Sequence, residues 1–168
     1  MILYPKLYYK NVMEITLDIL KKNNIKGLIL DVDNTLIDFD KNMDPKVKIW
    51  VKKLKQEGIK FCIVSNTNKV EKVKKVADTL QIPYFYFAKK PLKKGFLKAK
   101  EKMKLKNENI AAVGDQIMTD VIGANRCNMF SILVEPLSEK DIFITKVKRP
   151  IEKMIIKRYL LKMEKEKV

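Results

Sequence analysis

The stretch Gly27-Leu28-Ile29-Leu30-Asp31-Val32-Asp33-Asn34-Thr35-Leu36 decides how the rest of the chain is read. A short apolar run rich in branched side chains, opened by Gly27 and closed by two carboxylates, reads as a buried parallel strand that emerges at its C-terminal end as a polar loop. Open α/β sheets carry their active sites at that edge. Asp31 and Asp33 are separated by one residue and can face a single ligand. Two anions held that close call for a cation or a shared proton. Mg2+ would satisfy them, since it takes hard oxygen ligands and usually shares them with substrate phosphate. A solvated turn is the plain alternative. A calcium loop does not fit, because Leu36 and Asn42 stand where its pattern needs Gly and Glu.

The 168 residues, 46% of them hydrophobic, suffice for one domain with a real core and are too few for two such domains. No apolar run approaches the roughly 20 residues of a membrane span, and Met1 to Asn11 lacks the continuous apolar core of a signal peptide. The expectation is a cytoplasmic protein. Cys62 and Cys127 have no metal-type spacing and read as reduced, structural thiols. The chain contains no histidine, which removes serine triads, histidine zinc sites and phosphohistidine chemistry. A cysteine phosphatase needs an arginine closing the loop after its cysteine, and Asn68 and Leu133 occupy the required spacing. No glycine-rich phosphate or dinucleotide loop is present. Carboxylates, lysines and hydroxyls remain as the catalytic repertoire.

The formal charge of +16 invites a nucleic-acid or anionic-membrane reading. Of the 36 basic residues, however, only Arg126, Arg149 and Arg158 are arginines, and such a bias toward lysine can reflect codon drift and solvation. The three arginines are the more informative for their rarity.

Along the chain, Val12, Ile15 and Ile19 at helical spacing predict one opening helix from Asn11 to Lys22, with Asn11 as cap. The aromatic, basic segment Tyr4 to Tyr9 before it reads as a packed arm, with an interfacial anchor as the alternative. Asp44-Pro45 marks a helix start, and the helix carries Val47, Trp50, Val51 and Leu54 as far as Gly58. Lys60 to Val64 is a second buried strand ending at Ser65-Asn66, and the next helix carries Val70, Val73, Ala77 and Leu80. A strand from Tyr84 to Phe87 leads to Lys89-Lys90-Pro91 and a helix whose core stripe is Leu92, Phe96, Ala99 and Met103. Ile110 to Val113 ends at Gly114-Asp115-Gln116, another helix follows, and Ser131 to Val134 is the last strand. Strand and helix alternate throughout, which predicts one mostly parallel sheet covered on both faces. Four strand ends then carry Asp31 with Asp33, Ser65, Lys90, and Asp115 with Asp120. A parallel sheet brings all four to one crevice.

Asp31-Val32-Asp33-Asn34-Thr35, Ser65, Lys90-Pro91 and Gly114-Asp115-Gln116-Ile117-Met118-Thr119-Asp120 resemble the four ordered motifs of the haloacid dehalogenase (HAD) superfamily of phosphatases. Within it, Tyr4-Pro5, the block from Gly114 to Asp120, Asn125-Arg126 and Thr145-Lys146-x-x-Arg149 are similar to the YqeG-like proteins of subfamily IIIA, akin to phosphatidylglycerophosphate phosphatases. Cys127-Asn128 stands where a glycine is expected and Lys148 where Asn is expected, departures that bear on substrate contacts of the last segment. The resemblance implies a three-layer HAD-like α/β fold without a large cap, as a single domain over 1–168. That domain would have an N-terminal arm over about 1–10 and a basic amphipathic helix over about 150–166.

The resemblance also implies roles. Asp31 would attack phosphorus to give an aspartyl-phosphate, and Asp33 would protonate the leaving alcohol and then activate water. Thr35, Ser65, Asn66 and Lys90 would bind the phosphoryl group, Lys90 compensating its charge. Lys89 is the alternative to Lys90, and the following Pro91 favours Lys90. Asp31, Asp33 through its backbone carbonyl, and Asp115 would hold Mg2+, with Asp120 placing a water of its shell.

Thr35 and Ser65 are 30 positions apart and Ser65 and Lys90 are 25 apart, spans filled by the strands and helices already assigned, so no cap is inserted. An uncapped site suits a large phosphorylated substrate whose bulk stays outside: a phospholipid headgroup, a phosphoprotein or a nucleic-acid end. The leading expectation is a Mg2+-dependent phosphomonoesterase, with phosphatidylglycerophosphate as the substrate. The alternative is a basic binding protein, for instance in ribosome assembly, whose HAD motifs are residual; a binder has no need of Asp33. Lys89 to Lys106 holds nine lysines against one acid, Glu101, and predicts contact with an anionic membrane at its inner face, with Lys93, Lys94 and Lys98 as steering charges. The tail helix with Ile151, Met154, Ile155, Tyr159 and Met163 either closes the domain or serves as an interfacial anchor.

Overall fold

Leu28, Ile29 and Leu30 are all buried, as a strand covered on both faces requires. The computed structural model describes residues 1–139 and 143–166, leaving aside the side chains of 143–146. The expected contacts of Thr145 and Lys146, and the tail end at Val168, therefore lie outside the described residues. The strands are β1 (Leu7–Tyr9), β2 (Gly27–Leu30), β3 (Lys60–Val64), β4 (Tyr84–Phe85), β5 (Ile110–Gly114) and β6 (Phe130–Val134). They form one sheet in the order β1-β6-β5-β2-β3-β4, and every neighbouring pair is parallel. From β2 the chain builds outward through β3 and β4, then crosses back to lay β5 on the other side of β2. That reversal opens a crevice beyond the carboxyl ends of β2 and β5.

The helices are α1 (Leu17–Lys22), α2 (Pro45–Gln56), α3 (Val70–Leu80), α4 (Lys93–Met103), α5 (Ile122–Arg126) and α6 (Phe143–Glu166). The period-two alternation of β2 divides the core. Leu28 and Leu30 pack with Trp50 and Leu54 of α2 and Val73 of α3 on one face. Ile29 packs with Phe96, Ala99 and Met103 of α4 on the other. A third cluster lets Ile155 of α6 close over Ile117, Val121 and Leu133.

The structure agrees with one expectation at the N-terminus and corrects several others. The Tyr4 to Tyr9 arm is packed because its second half is β1, an edge strand paired to Ile132, Leu133 and Val134. The opening helix is broken in two. Asn11 caps a 3-10 turn, Val12–Glu14, by accepting from the Met13 N–H, and Thr16 then caps α1. Ile15 between them is extended and fully buried, and its carbonyl accepts from Trp50 Nε1 at 2.9 Å instead of from a helical N–H. The strand expected to run to Phe87 stops at Phe85, because Phe87 adopts a φ of +49° and gives its N–H to the Thr67 carbonyl. Leu92 is exposed at the start of α4, and its place in the inward stripe is taken by Gly95. The C-terminal helix begins at Phe143 and runs through Pro150, the residue that reads as a helix start.

α5 approaches α4 so closely that a Cβ at Gly123 would overlap the Phe96 ring. Gly123→Ala is expected to cost about 1–3 kcal/mol through overpacking and to lower Tm by several degrees. Phe96→Leu in the same chain should recover part of that loss. An unchanged Tm for Gly123→Ala would show that α4 and α5 are not held in this contact.

Candidate active site

At the end of β2 the Asp31 N–H donates to the Val113 carbonyl, which carries the ladder one residue further and sets its carboxylate in the crevice beside β5. On the β5 side the chain leaves the strand through Gly114 into Asp115 and a π-helical turn, Ile117–Val121, that swings Asp120 back over the strand end. A Cβ at Gly114 would overlap the Asp120 carboxyl group, so only glycine leaves room for this fold-back. Asp120 Oδ2 accepts from the Gln116 N–H at 3.1 Å. Asp31, Asp115 and Asp120 thus offer carboxylate oxygens that lie within 4.8 Å of one another.

The segment from β4 to α4 delivers the cation. Lys90 Nζ donates to Asp31 Oδ1 at 2.8 Å and to Asp120 Oδ1 at 2.6 Å, deep in the crevice. Its backbone is pinned by Asn66, which donates to the Lys90 carbonyl at 3.1 Å and accepts from the Lys90 N–H at 2.6 Å. Lys89 turns the other way, its Nζ 5.0 Å from the Phe87 ring centroid. Ser65 is buried at the end of β3, and its Oγ accepts from the Thr67 N–H at 3.3 Å. The Thr35 hydroxyl lies 3.3 Å from Asp31 Oδ2 and 3.5 Å from Asp115 Oδ1, which bridges two of the three carboxylates. Asp33 is set apart. Its side chain is 47% exposed at the mouth of the crevice and paired with Lys72 Nζ of α3.

Two cations in this neighbourhood carried no role in the sequence reading. Lys72 sits on the face of a regular amphipathic helix, where no local pattern marks it. Arg149 of α6 donates from NH2 to Asp115 Oδ2 at 2.7 Å and from NH1 to the Asp115 carbonyl at 3.2 Å. Its rarity in a lysine-rich chain and its place in the Thr145-Lys146-x-x-Arg149 block are the signals that mark it. Glu152, one turn on and buried, accepts from the Met118 N–H at 3.1 Å and so docks α6 onto the π-helical turn.

The electrostatics are those of a buried ring of charge. Burial raises the pKa of Asp115 well above the usual carboxylate range, and the neighbouring Asp31 and Asp120 add to it while Arg149 opposes it. Burial also raises Asp31, against the pull of Lys90. Burial alone would lower Lys90, but the Asp120 and Asp31 carboxylates outweigh it, and the ammonium stays charged. Lys90 and Asp31 are therefore both biased toward their protonated forms: the lysine keeps its charge, and the acid resists ionisation. Three carboxyl groups face two cations, Lys90 and Arg149. Hard oxygen donors in so tight a group fit a small divalent cation.

A family described as haloacid dehalogenase-like hydrolase matches residues 40–128. The Bacillus subtilis (strain 168) protein named "Probable phosphatase YqeG" is 42% identical over 153 residues, 90% of this chain and 88% of that protein. The Arabidopsis thaliana protein named "Phosphatidylglycerophosphate phosphatase 1, chloroplastic/mitochondrial" is 27% identical over 170 residues, 94% of this chain, and the match spans 48% of that protein's length. Among solved structures, an uncharacterized protein from Listeria monocytogenes serotype 4b shares the fold, with a TM-score of 0.56 and 21% identity over 70% of this chain and 85% of that one.

A carboxylate whose folded pKa lies above its unfolded value makes the fold less stable as pH rises through the folded value, because the acid must then ionise in place. A cation bound by Asp31 and Asp115 removes that cost and competes with protons for the same oxygens. Adding MgCl2 is therefore expected to raise Tm, and by more at about pH 8 than at about pH 5. A shift of equal size at both pH values would contradict cation binding at these carboxylates.

Proposed function

The chain belongs to the haloacid dehalogenase-like hydrolase family, and we propose that within it this protein is a Mg2+-dependent phosphomonoesterase. The observation that carries this reading is the convergence of Asp31, Asp115 and Asp120 on Lys90 at the crevice between β2 and β5. Its relative in Bacillus subtilis bears the name of a phosphatase.

Asp31 is the nucleophile: a carboxylate oxygen forms a bond to phosphorus, and the bond from phosphorus to the ester oxygen breaks. Asp33, at the exposed mouth where a leaving alcohol would depart, gives its proton to that oxygen. Water then attacks the same phosphorus, its proton passes to Asp33, and the bond to Asp31 breaks to release inorganic phosphate and the free enzyme. Lys90 reaches the phosphoryl oxygens while holding Asp31 and Asp120 in register. Ser65 lies at the neighbouring strand end. Asn66 acts on Lys90 through the backbone, and Thr35 orients Asp31 and Asp115. Asp31, Asp115 and the Asp33 backbone carbonyl, with Asp120 close by, would hold Mg2+, which supplies electrostatic stabilisation of the transferring phosphoryl group.

The substrate reading follows from the mouth of the site. The span from Thr35 to Ser65 carries α2 and β3, and that from Ser65 to Lys90 carries α3 and β4, so among the described residues neither span inserts a further folded module at the crevice. A large phosphoester can present its phosphate end here and leave its bulk outside. Phosphatidylglycerophosphate meets that condition, and the Arabidopsis relative is named for it.

Asp31→Asn should abolish phosphate release in Mg2+, and residual turnover within about tenfold of wild type would remove Asp31 as nucleophile. Asp33→Asn should slow turnover by about 10²–10⁴ while Mg2+ affinity holds. Phosphatidylglycerophosphate in vesicles, run beside phosphoproteins and 5′-phosphorylated oligonucleotides, decides the substrate: a lower kcat/KM on the lipid than on either would overturn that choice.

A further inference from the structure

The lysine-rich segment that delivers Lys90 has a second side. Tyr86, Phe87 and Leu92 are 46%, 54% and 51% exposed, and all three stand between β4 and the first turn of α4. Leu97, on the next turn of α4, is also exposed. Lys89, Lys93, Lys94 and Lys98 are exposed among them, and no acidic residue occurs between Asp78 and Glu101. These apolar side chains are not the product of a loose loop. The Phe87 N–H donates to the Thr67 carbonyl and the Ala88 N–H to the Ser65 carbonyl, each at 2.9 Å. Phe87 holds a φ of +49° and Lys89 a φ of +55°, a conformation disfavoured for long side chains, and the result turns Phe87 outward. A tethered, strained segment that aims an aromatic ring at solvent beside a catalytic lysine has the form of a contact surface.

The charge around the crevice is uneven. The loop after β2 carries Asp38, Asp40 and Asp44 with Lys41, and the residues after β6 include Glu135 and Glu139. An anionic surface is repelled from that side and drawn to the α4 side, which fixes one orientation of approach.

We propose that Tyr86, Phe87, Leu92 and Leu97, with Lys89, Lys93, Lys94 and Lys98, form a docking surface for an anionic lipid–water interface. This rests on the phosphatase reading above and specifies how a substrate held in a bilayer reaches the site. The rings and aliphatic side chains enter the headgroup region, where an aromatic body with neighbouring cations is favoured. The lysines face anionic headgroups, and the same segment carries the buried Lys90 of the crevice. The composition favours lipid over nucleic acid. Leu92 and Leu97 offer nothing to a stacked base, and lysines lack the planar fork that reads phosphate bidentately.

The test uses the full chain and vesicles of phosphatidylcholine, with and without about one third phosphatidylglycerol. The protein should sediment with the anionic vesicles and not with the neutral ones, and NaCl should release it. Phe87→Asn is the informative variant, because asparagine tolerates the left-handed backbone and the fold should keep or gain Tm. It should partition roughly tenfold more weakly, as should Lys93→Glu with Lys94→Glu. Both should keep wild-type turnover on soluble p-nitrophenyl phosphate. Asp31→Asn should bind vesicles as wild type does while releasing no phosphate, so a failure of docking and a failure of the phosphatase reading are separately visible. Equal binding to neutral vesicles, or wild-type partitioning by both surface variants, would overturn the proposal. So would loss of vesicle binding in Met154→Glu of α6 with none in Phe87→Asn, or tighter binding of the wild type to single-stranded RNA than to the anionic vesicles.

Discussion

A single ammonium group, Lys90 Nζ, is held out of water between Asp31 and Asp120, and the rest of the site is arranged so that this can persist. A buried charge left without its partner is strongly destabilising, and a buried pair repays its desolvation only when the geometry is good. Each neighbouring feature supplies part of that geometry. Gly114 leaves the space into which Asp120 folds, and the π-helical turn provides the backbone path. Asn66 fixes the lysine's backbone from the end of β3. Arg149 answers Asp115 from the far end of the chain. Three acids brought this close would repel one another without those cations, so the acidic group and its counter-charges form one structural unit.

The parts of this unit that could be read in the sequence are those with a local period. The strand β2 announces itself because an apolar run precedes two acids, and β3 and β5 do so because their apolar runs end at Ser65-Asn66 and at Asp115. Once parallel strands are assumed, the meeting of Asp31, Lys90, Asp115 and Asp120 follows from topology. What stayed hidden depends on distant contacts. The strand β1 is three residues long, half-buried and aromatic, and among the described residues its one strand partner is β6, far along the chain. The break at Ile15 is invisible without Trp50, whose indole N–H takes the carbonyl a continuous helix would have used. Lys72 is one lysine among many until α3 is laid beside the loop that carries Asp33.

The same reasoning explains why net charge is a poor guide to this molecule. Lys90, Lys72 and Arg149 are committed to carboxylates within the crevice. Near the crevice a basic shoulder on α4 stands beside acidic residues after β2 and β6, and further exposed lysines lie on α2 and α6. A single figure of +16 conveys neither the internal pairing nor the asymmetry. Orientation toward an anionic partner depends on the asymmetry, because a uniformly basic surface attracts without aligning.

In a chain without histidine, the cations of the crevice must be lysine or arginine, and here each comes from a different element: Lys72 from α3, Lys90 from the segment before α4, and Arg149 from α6. Long basic side chains can reach a common site from separate supports, but each is only as well placed as the packing beneath it. The apolar closure of Ile155 over Ile117, Val121 and Leu133, with Glu152 anchored at the Met118 N–H, sets where Arg149 can stand. Loss of α6 from the sheet would leave Asp115 buried and facing Asp31 and Asp120 without that guanidinium. The cost of that state opposes undocking, and the electrostatics of the crevice thereby contribute to holding the C-terminal helix against the domain.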